Sequence, residues 1–174
     1  VGLVRDVVHN LGCPLQGRRV LILGAGGATR GALLPMLAQG PAEVVIVNRT
    51  VAKAEELAAL ARKHQSASVP VRGVGYDDLG AQSFDVVFNA TSASLTAELP
   101  PLSASAFAPG CLAYELAYGK GLTPFLKLAQ QAGVTRLADG VGMLAEQAAE
   151  AFEWWRGVRP DTAVVIDKLT VPLV

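Results

Sequence analysis

Residues 21–32, LILGAGGATRGA, carry the clearest indication of the fold. Three apolar residues run into the pattern G-x-G-G-A, and a segment with helical periodicity follows. Gly24 permits a sharp turn, Gly26 leaves room for a pyrophosphate near the backbone, and a helix starting near Gly27 directs free N–H groups at that phosphate. The sixth position of the usual pattern holds Thr29 instead of Gly or Ala, a mild departure. A glycine motif alone is weak, but this strand–turn–helix setting favours nucleotide binding over a turn without a ligand.

Strand and helix patterns alternate along the rest of the chain. Strands are predicted at 19–24, 43–48, 69–74, within 84–92, at 111–118 and at 134–140. Helices are predicted at 28–40, 50–64, 123–133, about 142–156 and 160–169. Near-continuous apolar strands that alternate with helices are typical of a parallel sheet covered on both faces. We therefore predict an α/β, Rossmann-type doubly wound sheet of about six strands with right-handed crossovers.

The composition excludes several classes of protein. The 174 residues include 15 Lys plus Arg and 15 Asp plus Glu, so the neutral chain has no overall field for nucleic acid or a membrane surface. No apolar run approaches the roughly 18 residues of a membrane span. Two cysteines are too few for a disulfide framework, so we expect a cytoplasmic protein. No cluster of His, Cys and Asp has metal spacing, so we expect no metal. The first residue is Val, which is typical of a trimmed product or a fragment.

The second predicted strand runs directly into Asn48, Arg49 and Thr50. NAD-binding proteins place an acid here, about 20 residues past the glycines, to bind the ribose 2′-hydroxyl. An acid would repel a 2′-phosphate, whereas Arg49 would pair with it, and Lys53 and Arg30 would add charge. A charged hydrogen bond is worth about 1.5–3 kcal/mol, roughly a tenfold to hundredfold preference for NADP over NAD. The alternative is a solvated basic turn, which is less favoured because cations are unfavourable at a helix N-terminus.

Five segments together resemble shikimate dehydrogenases of the bacterial NADP-dependent type. They are GAGGATR, VNRTVAKAEELA, FDVVFNATS, YELAYGKGLTPFL and DGVGMLAEQAAEAF, in this order and covering essentially the whole chain. The resemblance implies reversible NADPH-dependent reduction of 3-dehydroshikimate to shikimate, in aromatic amino-acid (chorismate) biosynthesis.

The resemblance also implies that part of the enzyme is absent. Members of the family have a first domain that binds shikimate and supplies a catalytic Lys and Asp. Val1-Gly2-Leu3 resembles the segment that follows this Asp. Residues 1–174 are thus expected to form a single NADP-binding domain without catalytic residues, inactive alone. Its terminal helices, 1–12 and 160–170, are expected to pack toward the missing N-terminal domain.

The resemblance assigns a role to each group of site residues. The pyrophosphate cradle is implied to be Gly24, Ala25, Gly26, Gly27, Ala28 and Thr29. The adenosine 2′-phosphate contacts are implied to be Asn48, Arg49, Thr50 and Lys53. The contacts near the nicotinamide ribose are implied to be Asn89, Ala90, Thr91 and Ser92. Gly140 and Met143 are implied to contact the nicotinamide, and Tyr118 and Gln147 to face shikimate. The departures are Glu115, where the family commonly has Asp, and Ser94, where it often has Gly.

Several alternatives remain open at this point. Without the resemblance, Met143 is expected to fill the core and Tyr118 to be a strand-end aromatic residue. Phe152 and Trp155 share a helix face and are expected in the core or at a domain junction. Lys120, between two glycines, is expected at the surface. The chain as a whole can also be read as a quinate/shikimate or related NAD(P)-dependent oxidoreductase, or as a non-enzymatic nucleotide-binding module that self-associates, for example as a dimer.

Overall fold

A six-stranded parallel sheet forms the centre of the molecule, as a computed structural model describes it for residues 1–65, 68–91, 99–119 and 121–173. The strands are β1 (Arg19–Leu23), β2 (Glu43–Val47), β3 (Val71–Val74), β4 (Phe84–Asn89), β5 (Phe107–Glu115) and β6 (Arg136–Ala138). Their order is β3-β2-β1-β4-β5-β6, and every neighbouring pair is parallel. This is the doubly wound dinucleotide-binding order, so the predicted fold is confirmed. The predictions for Ser92, Ser94 and Lys120 lie outside the described residues.

Helices cover both faces of the sheet. They are α1 (Gly2–Arg5), α2 (Gly27–Leu37), α3 (Val51–His64), α4 (Pro124–Gln131), α5 (Val141–Arg156) and α6 (Ala163–Leu169). A π-helical turn, Asp6–Asn10, continues α1, and 3₁₀ turns lie at Asp77–Leu79 and Ala104–Ala106. None of the helices in the described part of the chain combines the length and apolar character that crossing a membrane requires.

Both predicted terminal helices are shorter than expected. The helix predicted over residues 1–12 keeps α-helical bonding only to Arg5, because the Leu11 N–H reaches back five residues to the Asp6 carbonyl, 2.9 Å away. The helix predicted from residue 160 begins at Ala163, whose N–H is capped by the Asp161 carboxylate at 3.0 Å.

The fifth strand is displaced from its predicted span of 111–118. It begins at Phe107, which pairs with Phe84, and it ends at Glu115. The chain turns there because the Ala117 N–H donates to the Glu115 carboxylate at 3.3 Å instead of continuing the ladder. The loop that follows therefore starts three residues earlier than the sequence predicted.

Apolar strands fill the core on both faces of the sheet, as predicted for parallel strands. Ile22 and Val44 belong to the cluster beneath α1, α2, α3 and α5, whereas Leu21 and Val45 belong to the cluster beneath α4. Trp155, however, is 78% exposed and lies outside both clusters, so the core alternative for this residue is wrong.

β1 and β4 are parallel, hydrogen-bonded neighbours at the topological switch point of the sheet. From β1 the chain adds β2 and β3 on one side, and from β4 it adds β5 and β6 on the other. Leu23 pairs with Asn89 at their carboxyl ends. In doubly wound sheets, ligands bind in the crevice beyond this switch point.

Candidate functional site

The glycine turn lies directly above the switch point. Gly24 has φ +99°, and its N–H donates to the Val47 carbonyl at 2.8 Å. A Cβ on Gly24 would lie 3.1 Å from the Ala90 carbonyl oxygen, so a side chain would be strained and crowded. Gly26 and Gly27 are exposed, and a Cβ on either would meet no atom within 4 Å. The turn therefore leaves open space in front of the first N–H groups of α2, which have no partner within the helix.

Thr29 closes the turn from inside. Its side chain is buried, and its hydroxyl donates to the Gly24 carbonyl at 2.7 Å. The departure from Gly or Ala at this position thus satisfies a carbonyl that the sharp turn would leave without a partner. The Thr29 hydroxyl is therefore engaged within the protein.

Asn48 joins the glycine turn to the loop that follows β2. Its amide oxygen accepts from the Ala25 N–H at 3.3 Å, and its NH₂ donates to the Thr50 carbonyl at 2.9 Å. Both polar ends of the Asn48 side chain are therefore engaged, which sequence reasoning did not anticipate. Thr50 occupies the N-cap position of α3, but its side chain makes no capping hydrogen bond there.

A cavity of about 320 Å³ adjoins the glycine turn between α2 and α3. Arg30 and Lys53 line it, and its other lining residues are Ala25, Gly26, Gly27, Glu56, Leu57 and Leu60. Arg49 is not one of its lining residues. Burial raises the pKa of the Tyr76 hydroxyl and the charge of Arg49 opposes that rise, so Arg49 lies near Tyr76. The predicted basic residues thus lie in two places. Arg30 and Lys53 line the cavity, and Arg49 lies near Tyr76.

A buried polar cluster supports the carboxyl end of β4. The Asn89 NH₂ donates to the Glu115 carboxylate at 2.9 Å, and its amide oxygen accepts from the Thr91 hydroxyl at 2.7 Å. Thr123, which sequence reasoning missed, also donates to Glu115, at 3.1 Å, and caps α4 by accepting from the Leu126 N–H. The Thr-Pro sequence at the start of α4 was the signal that could have identified it. Ala90 holds the edge of the cluster, since its N–H donates to the Leu23 carbonyl at 2.9 Å.

The start of α5 lies against the loop after β5. A Cβ on Gly140 would lie 2.1 Å from the Leu116 carbonyl oxygen, so only glycine permits this approach. Met143 is half-buried and packs against the core, while Gln147, one turn further along α5, is exposed beside Gly2. Tyr118 is 51% exposed on the loop itself. The structure therefore places Met143 and Gln147 in succession along α5, and Tyr118 on the neighbouring loop.

A second buried cluster, also missed from the sequence, fixes α5 against α1. The Asp6 carboxylate accepts from the Tyr114 hydroxyl at 2.6 Å and from the Asn10 amide at 2.9 Å. Burial raises the pKa of Asp6. Gly142 makes room for this carboxylate, because a Cβ there would lie 1.9 Å from an Asp6 oxygen. A polar residue in the apolar run VGLVRDVV was the only signal in the sequence.

Glu146 extends this cluster to the segment before α6. Its buried carboxylate accepts from Arg159 at 2.6 Å, from the Thr162 hydroxyl at 2.7 Å and from Asn10 at 3.2 Å. Burial alone would raise the pKa of Glu146, but these hydrogen bonds lower it overall. The helices near both ends of the chain are thereby joined to α5.

The fold, the switch point and the open glycine turn define a Rossmann-type dinucleotide-binding domain. The chain belongs to the shikimate / quinate 5-dehydrogenase family, whose model matches residues 6–97. The model of the shikimate 5′-dehydrogenase C-terminal domain matches residues 140–170. The predicted family is therefore confirmed.

Individual relatives are similar to this chain over nearly its whole length. A shikimate dehydrogenase (NADP(+)) of Nitrosospira multiformis is 56% identical over 168 residues, which are 97% of this chain and 60% of the relative. The crystal structure of an Ael1 enzyme from Pseudomonas putida is 63% identical with a TM-score of 0.91, over 99% of this chain and 62% of that one. Shikimate 5-dehydrogenase from Thermus thermophilus, solved with NADP(H) and shikimate, is 30% identical with a TM-score of 0.75, over 93% and 57%. The chain thus spans about 60% of the length of the curated relatives it matches.

Proposed function

We propose that this chain is the NADP-binding part of a cytoplasmic, NADP-dependent shikimate dehydrogenase. The enzyme would reversibly reduce 3-dehydroshikimate to shikimate in aromatic amino-acid biosynthesis. The observation that carries the proposal is the open glycine turn beside a cavity lined by Arg30 and Lys53. The names of the relatives support both the cofactor and the substrate. The free, buried Cys13 and Cys111 suit a reducing compartment.

The residues of the turn fit a dinucleotide. Its pyrophosphate would occupy the space before Gly26 and Gly27, where a side chain would intrude, and would accept from N–H groups of Gly27, Ala28 and Thr29. The 2′-phosphate would be held beside the loop after β2. The residues in this role are Asn48, through its hold on the turn, and Arg49, Thr50 and Lys53.

The nicotinamide end would lie over the carboxyl ends of β4 and β5. Bound nicotinamide supplies or accepts a hydride at C4, which is the redox chemistry of the reaction. The residues of this chain would orient the ring through the Asn89, Ala90 and Thr91 loop and through Gly140 and Met143. Tyr118 and Gln147 would face the substrate. The accompanying proton would be handled by the Lys and Asp expected in the part of the relatives that this chain does not span.

An exposed apolar surface supports the proposal that this chain binds the cofactor and that another domain supplies the proton-transfer groups. The aromatic surface, as we call it, comprises Phe152, Trp154, Trp155, Val164 and Val165, which are 45–85% exposed. A cavity of about 480 Å³ beside it is lined by Val1, Gly2, Gln147, Glu150, Ala151, Trp154 and Trp155. Exposed apolar patches of this kind are typical of interaction sites. We propose that the substrate domain covers the aromatic surface and meets Gln147 there.

A quinate-oxidising activity is the second candidate, because the description of the matching family includes quinate. The groups that tell the two substrates apart would belong to the substrate domain. A panel of shikimate and quinate, tested on a protein of the relatives' full length, separates the candidates.

The proposal is tested on the pure chain with two measurements. Titration with NADPH, followed by nicotinamide fluorescence, is expected to show saturable binding. Incubation with shikimate and NADP⁺ is expected to yield no NADPH, because the chain would bind and orient the cofactor without supplying the proton-transfer groups. Oxidation of shikimate by the chain alone would contradict this division, and failure to bind NADPH would contradict the cofactor role.

A further inference from the structure

The cavity beside the glycine turn contains a cation that the Asn-Arg-Thr motif does not include. We propose that Arg30 is a specificity-determining residue that holds the adenosine 2′-phosphate from the α2 side of this cavity, together with Lys53 on α3. The inference rests on the proposed function and deepens it. It also assigns an opposing role to Glu56, which lines the same cavity.

The position of Arg30 is set by the packing of two helices. Arg30 lies in the second turn of α2, and Lys53 lies in the first turn of α3. Arg30, Leu57 and Leu60 also line a neighbouring apolar cavity of about 290 Å³. The Arg30 side chain therefore runs along the boundary between the two cavities. Arg30 is exposed, as expected for an arginine whose aliphatic stem packs on apolar side chains while its guanidinium group stays in solvent.

The cavity is lined by two cations, Arg30 and Lys53, and by one carboxylate, Glu56, so its net charge is positive. Elsewhere, arginines pair with acids, as Arg19 does with Glu43 at 2.6 Å. Arg30 and Lys53 make no ion pair or side-chain hydrogen bond within the part of the chain that the structure describes. Two cations that share one cavity repel each other, and a dianionic phosphate monoester between them would remove that repulsion. The neutral 2′-hydroxyl of NAD would leave the repulsion between Arg30 and Lys53 in place.

Arg49 approaches the same ribose from a different direction. It lies near Tyr76 and does not line the cavity. Arg30 and Arg49 would thus reach the 2′-phosphate from two different elements, α2 and the loop after β2. Removing either one should weaken NADP⁺ binding while leaving NAD⁺ binding nearly unchanged.

Glu56 should limit the affinity. Its carboxylate lies one turn after Lys53 on the cavity wall, where it would repel a bound phosphate dianion. Neutralising it should therefore strengthen NADP⁺ binding, an effect opposite in sign to that of Arg30.

The test uses 2′,5′-ADP and ADP, which differ in the 2′-phosphate, in calorimetric titrations of the chain. Arg30→Gln is expected to weaken 2′,5′-ADP binding about tenfold, the effect of one charged hydrogen bond, with ADP binding unchanged. Glu56→Gln is expected to strengthen 2′,5′-ADP binding alone. Lys63→Gln, on an exposed cation at the far end of α3, is the matched control and should change neither.

The outcomes separate the inference from the proposed function. If Arg30→Gln leaves the ratio of the two affinities unchanged while Arg49→Gln reduces it, the inference is overturned and the NADP site stands. If the unmodified chain binds 2′,5′-ADP no better than ADP, the proposed preference for NADP is itself overturned.

Discussion

The Asn48 amide oxygen and the Ala25 N–H are 3.3 Å apart and form a hydrogen bond between the two loops of the proposed cofactor site. The opposite end of the same side chain donates to the Thr50 carbonyl at 2.9 Å. There are therefore two reasons why Asn48, rather than an acid, follows β2. It leaves the site without a negative charge, and it fixes the glycine turn relative to the start of α3.

Two substitutions at Asn48 separate these roles. Asn48→Ala removes both hydrogen bonds, at about 1 kcal/mol each, and should weaken NADP⁺ and NAD⁺ binding by a similar factor of roughly 5 to 30. Asn48→Asp keeps an acceptor for Ala25 but adds a charge near the 2′-phosphate, so it should weaken NADP⁺ binding more than NAD⁺ binding. Calorimetry with both cofactors measures the two effects. Equal losses for both cofactors in Asn48→Asp would contradict the proposed position of the 2′-phosphate.

Gly26 is expected to be required for binding but not for folding. Its φ of −92° suits any residue, and a Cβ would meet no protein atom within 4 Å. Gly26→Ala should therefore keep the melting temperature while its methyl group occupies the space proposed for the pyrophosphate, so that binding of both cofactors falls.

Gly31→Ala is the matched control for this substitution. Gly31 lies inside α2, and it also has open space around a Cβ. The substitution should stabilise the chain by about 0.5–1 kcal/mol and leave cofactor binding unchanged. Normal NADP⁺ binding by Gly26→Ala would show that the pyrophosphate lies elsewhere.

The buried Asp6 is expected to make stability depend on pH. Burial raises its folded pKa above the usual 3.8, hydrogen bonds from Tyr114 and Asn10 oppose the rise, and the charges of Glu146 and Asp139 add to it. The folded state therefore holds the proton more tightly than the unfolded state. Protonated Asp6 therefore contributes stability that is fully present below the Asp6 pKa of the unfolded chain. That contribution is lost as the pH rises through the Asp6 pKa of the folded chain.

Asp6→Asn removes this loss because an amide does not ionise. Its free energy of unfolding, relative to the unmodified chain, should rise with pH across that window and then level off. Tyr114→Phe removes the hydrogen bond that holds the Asp6 pKa down, so its stability should fall more over the same range. Urea unfolding at a series of pH values measures both. A parallel pH profile for Asp6→Asn and the unmodified chain would contradict this role of Asp6.

The aromatic surface is expected to make the isolated chain self-associate. Trp154 and Trp155 are 85% and 78% exposed, and α6, which contacts α5, carries the exposed apolar residues Val164 and Val165. In sedimentation velocity runs, the chain should associate as its concentration rises. The double substitution Trp154→Lys and Trp155→Lys should prevent this without changing NADP⁺ affinity. Leu99→Lys, at another exposed apolar residue, serves as the control. Identical sedimentation of all three proteins would argue against an interaction surface.

The parts of the fold that depend on local sequence were predictable. β1 and β2 are continuous apolar runs because both of their faces are buried, and the glycine turn requires backbone conformations that only certain residues adopt. The doubly wound parallel sheet then followed from the alternation of strands and helices. The boundaries of β5 could not be predicted in this way, because its end depends on the contact of Glu115 with the Ala117 N–H.

The partners of the site residues depend on contacts between distant parts of the chain. The role of Asp6 depends on Tyr114, 108 residues away, and on the close approach that Gly142 permits. The position of Arg30 beside Lys53 depends on how α2 packs against α3. Thr29 and Asn48 were placed at the site by the motif, but their engaged side chains become visible only in three dimensions.

The most direct test of the central claim is a calorimetric titration of this chain with NADP⁺ and, under the same conditions, with NAD⁺. NADP⁺ is expected to bind at least about tenfold more tightly, the value of one charged hydrogen bond to the 2′-phosphate, and Arg49→Gln is expected to reduce the difference. Equal binding of the two cofactors, or binding of neither, would contradict the claim that this domain selects NADP.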